Sequence, residues 1–124
     1  MGSRGPIPKR SEERRRTNRP AGLDLVRLPG DAPTDLPDPP DPDPAWHPRA
    51  TDWYLSLRRS GQAVLYQPSD WAKARYVAEL MSRSLAKGMP NALFLSGLLQ
   101  SMQGLLATEG DRRRAGVELD PPDP

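Results

Sequence analysis

Seven cations fall within the first 20 residues: Arg4, Lys9, Arg10, Arg14, Arg15, Arg16 and Arg19, opposed only by Glu12 and Glu13. Gly2, Gly5, Pro6, Pro8 and Pro20 punctuate this run where a helix would need continuity, so residues 1–20 read as a flexible basic arm. Guanidinium and ammonium groups at this density suit phosphate oxygens, and counterion release works as well from a flexible chain as from a rigid one. The chemistry indicated is electrostatic grip on nucleic acid; the plainer account is a solubilising tail. Covalent and redox chemistry lack their components. The chain has no Cys and a single histidine, His47, which suits packing or capping and cannot build a metal site unaided. There is no Gly-Lys-Ser or Gly-Lys-Thr to cradle a phosphate. No catalytic, cofactor-binding or metal-ligating residue is assigned, and the chain reads as a non-enzyme without cofactor.

The elements that must carry this arm follow from composition. The 124 residues include 16 Pro and 10 Gly, so the folded part is shorter than the chain. A net charge of +2 hides strong segregation: residues 1–20 sum to +5, residues 21–45 hold Arg27 against six Asp for −5, and residues 46–124 return to +2. No apolar run reaches the roughly 18 to 20 residues that span a bilayer, and the start has no signal-type hydrophobic stretch. A soluble cytoplasmic protein without a membrane partner is expected.

Within the acidic block, residues 29–44 alternate Pro with Asp so densely that polyproline II is the natural conformer. At ~3.1 Å per residue they form an extended spacer that would hold the arm roughly 50 Å from the fold. Ala50, Trp53, Tyr54 and Leu57 then recur at helical spacing, giving a first helix over about Pro48 to Ser60, with Gly61 placed for a left-handed cap. Gln62 to Gln67 reads as a loop containing a brief extended piece. Pro68, Ser69 and Asp70 open a second helix, about Ser69 to Lys87, along which Trp71, Ala74, Ala78, Met81 and Leu85 share a face. Asn91 caps a third, with Leu95, Leu98, Leu99, Met102, Leu105 and Leu106 as its stripe and Thr108 to Glu118 as its continuation. Trp46, Trp53 and Trp71 sit at helix starts and on apolar faces, as core anchors rather than base-stacking platforms.

The expected architecture is all-α: a three-helix unit with an antiparallel helical hairpin, preceded by a disordered basic arm and a Pro/Asp-rich linker. Its boundaries are 1–20 for the arm, 21–45 for the linker, 46–119 for a helical oligomerisation domain and 120–124 for a disordered tail. The Leu-rich third helix, with Gly97 and Gly104 open to close helix approach, predicts homo-oligomerisation through helices two and three, with Leu95, Leu98, Leu99, Met102, Leu105 and Leu106 at the contact. Secondary DNA-binding candidates are Lys73, Arg75 and Arg83 on the second helix and the cluster Arg112, Arg113 and Arg114. A helix-turn-helix reading of the first two helices meets a connection longer than the three or four residues typical of that turn. Glu109 lies four residues before Arg113, so a helical ion pair is the structural account of that cluster.

The order of these features, a basic Gly2-Ser-Arg-Gly-Pro-Ile-Pro-Lys-Arg10 start, a Pro-rich linker, Trp46-His47-Pro48, Pro68-Ser69-Asp70-Trp71-Ala72 and Thr108-Glu109-Gly110-Asp111-Arg112-Arg113-Arg114, resembles small terminase subunits of tailed bacteriophages. The resemblance implies a non-enzymatic DNA-recognition factor in the host cytoplasm that assembles into an oligomeric ring. Such a factor marks the packaging site on double-stranded viral DNA and recruits and regulates a large ATPase and nuclease subunit. Many small terminases open with a helix-turn-helix; here the N-terminal third is arm and linker, so the arm or the helix surfaces would read DNA. A phage structural or adaptor protein, binding protein through its hairpin, is the alternative.

Overall fold

The computed structural model of the protein describes residues 6–7, 25–88 and 91–121. Among these the order is strand β1 (Val26–Leu28), α1 (Pro48–Arg59), a 3-10 helix (Gly61–Leu65), α2 (Pro68–Lys87), α3 (Ala92–Gln103), α4 (Glu109–Arg114) and strand β2 (Val117–Leu119). Each of the longer helices starts where its cap chemistry dictates. His47 Nδ1 accepts from Arg49 N at 3.1 Å ahead of Pro48. Asp70, three residues into α2, accepts from Gln67 N at 2.7 Å, and Asn91 Oδ1 accepts from Phe94 N at 2.7 Å. Gly88, at φ 87°, ends α2 in the left-handed region that favours glycine.

The architecture is all-α, as expected, with a helical hairpin at its centre. Lys73, near the start of α2, lies over Gly104 at the end of α3, its Nζ 2.6 Å from where a Cβ would stand, so the two helices run antiparallel. The more extensive packing is that of α1 on α2. Ala50, Tyr54 and Leu57 of α1 meet Ala74 and Ala78 of α2, with Trp46 and Leu105 completing the cluster. The aromatic rings interlock edge to face: Trp46 with Tyr54 at 5.4 Å, Tyr54 with Trp71 at 5.9 Å and Trp71 with Tyr66 at 5.0 Å. Each such pair adds about 0.5–1.5 kcal/mol beyond the area it buries.

Four expectations are corrected. Gly61 does not form a left-handed cap; a Cβ there would overlap the carbonyl oxygen of Pro29, and the residue is bare so that its N–H can donate to Gly30 O at 3.0 Å. The segment after it is a 3-10 helix and not extended. The third helix does not run on through Glu118: α3 stops at Gln103, the chain turns through Gly104 and Leu106 at φ 57°, and Thr108 Oγ1 accepts from Asp111 N at 3.3 Å to start α4. Leu105 is thereby drawn inward to 1% exposure, and its carbonyl accepts from the Tyr66 hydroxyl. Residues 117–119 then pair in parallel with residues 26–28, Arg27 opposite Glu118.

The fourth concerns residues 29–44, which are not a stand-off spacer. Asp31 bridges Ser60 in antiparallel fashion, and Ala32 N donates to Arg59 O at 2.8 Å. Further along, Arg58 donates to Pro33 O at 3.2 Å and Leu36 O at 2.7 Å, and the Tyr54 hydroxyl donates to Pro40 O at 2.7 Å. A proline-rich chain has open carbonyls and few N–H groups of its own, so donors from α1 strap it down.

Three outcomes check this account. Gly61→Ala should cost about 2–3 kcal/mol by urea denaturation, because a buried hydrogen bond is broken and backbone displaced. Gly97→Ala, which meets nothing within 4 Å, should stabilise by up to about 1 kcal/mol. Burial pushes the Tyr66 phenol up to about 12 from its ordinary 10.0. The fold therefore favours the protonated phenol, and stability is lost as pH rises through the interval between those values. Tyr66→Phe should flatten that alkaline decline while costing about 1 kcal/mol near neutral pH; parallel declines would assign it to other groups.

Candidate nucleic-acid interface

Arg4, Lys9, Arg10, Arg14, Arg15, Arg16 and Arg19 lie outside the described residues. Of the arm, Pro6 and Ile7 are described, and Ile7 rests on α4, its Cδ1 2.6 Å from where a Cβ on Gly110 would stand. The candidates on α2 are exposed, and the two arginines among them are engaged. Arg75 Nε donates to Asp41 O at 3.1 Å, while its guanidinium lies 5.4 Å from the Trp46 ring centroid. Arg83 pairs with Glu79 at 2.9 Å, and the Glu79 carboxylate also accepts from Trp46 Nε1 at 3.1 Å. The hydrogen bond from Arg83, then that from Trp46, hold the Glu79 carboxyl below the usual carboxylate range. The α1–α2 connection is itself a 3-10 helix over Gly61–Leu65, unlike the tight turn of a helix-turn-helix.

The cluster on α4 has the ion pairing its spacing suggested. Arg113 meets Glu109 at 3.2 Å and Arg114 meets Asp111 at 3.8 Å, their side chains 20% and 23% exposed. Arg112 donates to Leu106 O at 3.0 Å and so braces the turn between α3 and α4. Three arginines at the C-terminal end of this helix also complement its dipole.

The apolar stripe of α3 divides. Leu98 and Leu105 are buried within the chain, whereas Leu93, Leu95 and Leu99 are 86%, 41% and 51% exposed. Leu95 and Leu99 stand one turn apart and form an outward ridge. Trp46 is buried, with Trp53 and Trp71 packed against the core, so the indoles serve the fold.

Two arginines carry structural roles that no local pattern announced. Arg58 clamps the proline strap, and Arg27 pairs with Glu118 at 3.3 Å and Asp120 at 3.4 Å across the ribbon. Glu118 is almost wholly buried, and a partner directly across a strand register is invisible without the register. Between strap and helices lies a mostly apolar pocket of about 290 Å³ bordered by Leu36, Pro40, Arg58, Tyr66 and Trp71. Among the described residues no group of three or more His, Cys, Asp or Glu could hold a metal ion. None of the described helices is long and apolar enough to cross a membrane.

The family described as phage terminase small subunit matches residues 3–124. The chain is similar to the "Gene 5 protein" of Mycobacterium phage L5, 37% identical over 134 aligned positions that take in 100% of this chain and 85% of that protein. It is also similar to the "Gene 5 protein" of Mycobacterium phage D29, 34% identical over 134 positions with the same 100% and 85% coverage. No solved structure matches it.

Proposed function

Since the chain belongs to the phage terminase small subunit family, we propose that it is the non-enzymatic subunit that binds double-stranded viral DNA at the packaging site. In the cytoplasm of the infected cell it recruits and regulates a large ATPase and nuclease subunit. The observation that carries this reading is the family match over residues 3–124, nearly the whole chain. The charge pattern supports it: a +5 block precedes a −5 block, so seven of the 18 cations fall, nearly unopposed, within one short segment.

DNA contact falls to the arm. The described arginines of α2 and α4 have internal partners, whereas the arm concentrates Arg4, Lys9, Arg10, Arg14, Arg15, Arg16 and Arg19 in a short stretch rich in Gly and Pro. Lys73 remains on the exposed face of α2, where it would add a phosphate contact to an arm already engaged, while Arg75 and Arg83 are held by Asp41 and Glu79. Assembly falls to α3, whose outward Leu95 and Leu99, flanked by Leu93, give a second copy an apolar surface to cover. A ring built this way presents many arms at once, and avidity multiplies a weak contact.

With all seven arm cations on phosphate, the logarithm of DNA affinity should fall against that of salt with a slope of roughly −6 per protomer. A gel shift across salt, comparing the full chain with one lacking residues 1–20, should show the slope flatten on deletion; an unchanged slope would reject the arm as the DNA contact. For assembly, Leu95→Asp combined with Leu99→Asp should reduce the oligomer to monomer in sedimentation equilibrium without loss of helical circular dichroism. An oligomer that survives both charges would move the interface away from this ridge.

A further inference from the structure

Gly110 is the second residue of α4, and glycine is a poor choice inside a helix unless something must come close. Something does. A Cβ at this position would meet Ile7 Cδ1 at 2.6 Å, Cγ1 at 3.3 Å and Cγ2 at 3.5 Å. The isoleucine side chain therefore lies on bare helix backbone, seated with half its surface covered. On the far side of the basic segment the chain comes back to the same place. Val26 N donates to Gly116 O at 2.8 Å, two residues past the end of α4, and β1 continues alongside β2 from there.

We infer that Ile7 on Gly110 is an anchor that turns the basic segment from a free arm into one tethered at both ends, to α4 before it and to the β1–β2 ribbon after it. Ile7 thus acts as a positioning residue. It touches no phosphate; it fixes where the cations that follow it can reach. This rests on the proposed DNA reading for its consequence, though not for its geometry. A chain held at one end explores a hemisphere and loses that freedom when it binds; a chain held at two ends has lost part of it beforehand, so less is lost on binding.

The chain lacks cysteine, so a pair can be introduced without background. In the full-length protein, Ile7→Cys with Gly110→Cys should oxidise to an intrachain disulfide at least about tenfold faster than Ile7→Cys with Gly97→Cys, whose second site has open surroundings. Equal rates, or a bridge between two chains, would overturn the anchor. Ile7→Ala, which trims a half-exposed side chain and leaves α4 intact, should weaken DNA binding about threefold with the salt slope unchanged, because every cation is still present. Wild-type affinity in Ile7→Ala would overturn the positioning role. Fast intrachain oxidation in a protein that binds no DNA would uphold the anchor and defeat the DNA reading, which separates the two.

Discussion

A proline-rich segment offers carbonyl oxygens and withholds the N–H groups that could pair with them, and the arrangement of this fold depends on where those oxygens find donors. Arg58 supplies two, to Pro33 and Leu36, the Tyr54 hydroxyl supplies one to Pro40, and Arg75 supplies one to Asp41. All come from the helices directly after the segment, so the strap is drawn over α1 and α2 instead of projecting into solvent. Charge assists this, since an acidic strap lies against arginines. Once the strap is down, Gly30 is brought against both Gly61 N and the carbonyl of Asp120, and the ribbon of β1 and β2 can close beside it. A helical unit with only a small core gains a second layer at little expense in apolar residues.

Tyr54 joins that constraint to the core. Its hydroxyl holds the strap while its ring sits between Trp46 and Trp71, and burial, the largest influence on it, raises the phenol above its ordinary range. The contacts continue from Trp71 to Tyr66, and from the Tyr66 hydroxyl to the carbonyl of Leu105 at the turn beyond α3. Strap, α1, α2, the 3-10 region and the exit of α3 are thus tied by one succession of rings and hydroxyls. In a domain of this size, which buries a smaller share of its surface than a large one, interactions that serve two layers at once carry more of the stability than further isolated contacts would.

The sequence made the helices legible because their signals are local. His47 with Pro48, Asp70 after Pro68, and Asn91 mark starts within a few residues of the backbone groups they satisfy. What escaped depends on distant partners. Val26–Leu28 and Val117–Leu119 are three residues each, too short for a period, and Arg27 and Glu118 are 91 residues apart. Gly61 was ambiguous in kind: the same missing Cβ permits a left-handed cap or a close backbone approach, and only Pro29 decides between them. The stripe of α3 pointed to a longer helix because Leu105 and Leu106 keep its spacing, while Thr108 competes as a cap and Tyr66 takes the Leu105 carbonyl. For the candidate site, the cations were legible and their partners mostly were not. Glu109 with Arg113 could be read from spacing alone, whereas the hold of Arg58 on the strap could not.

That division bears on how such a protein would hold DNA. Arg27, Arg58, Arg75, Arg83, Arg113 and Arg114 are spent on carboxylates or backbone carbonyls of their own chain. Diverting one of them to a phosphate would strip a partner from the strap, the ribbon or a helix, and the exchange gains little over the contact it breaks. The proposed grip draws instead on the seven cations of residues 1–20, whose phosphate contacts would displace counterions from the duplex. On the proposed reading, then, grip and architecture draw on separate sets of arginines. Grip of this kind carries little sequence information, because phosphates are alike along the duplex. Selectivity for a packaging site would have to come from how several copies space their arms, and that spacing is set by whatever covers the outward ridge of α3.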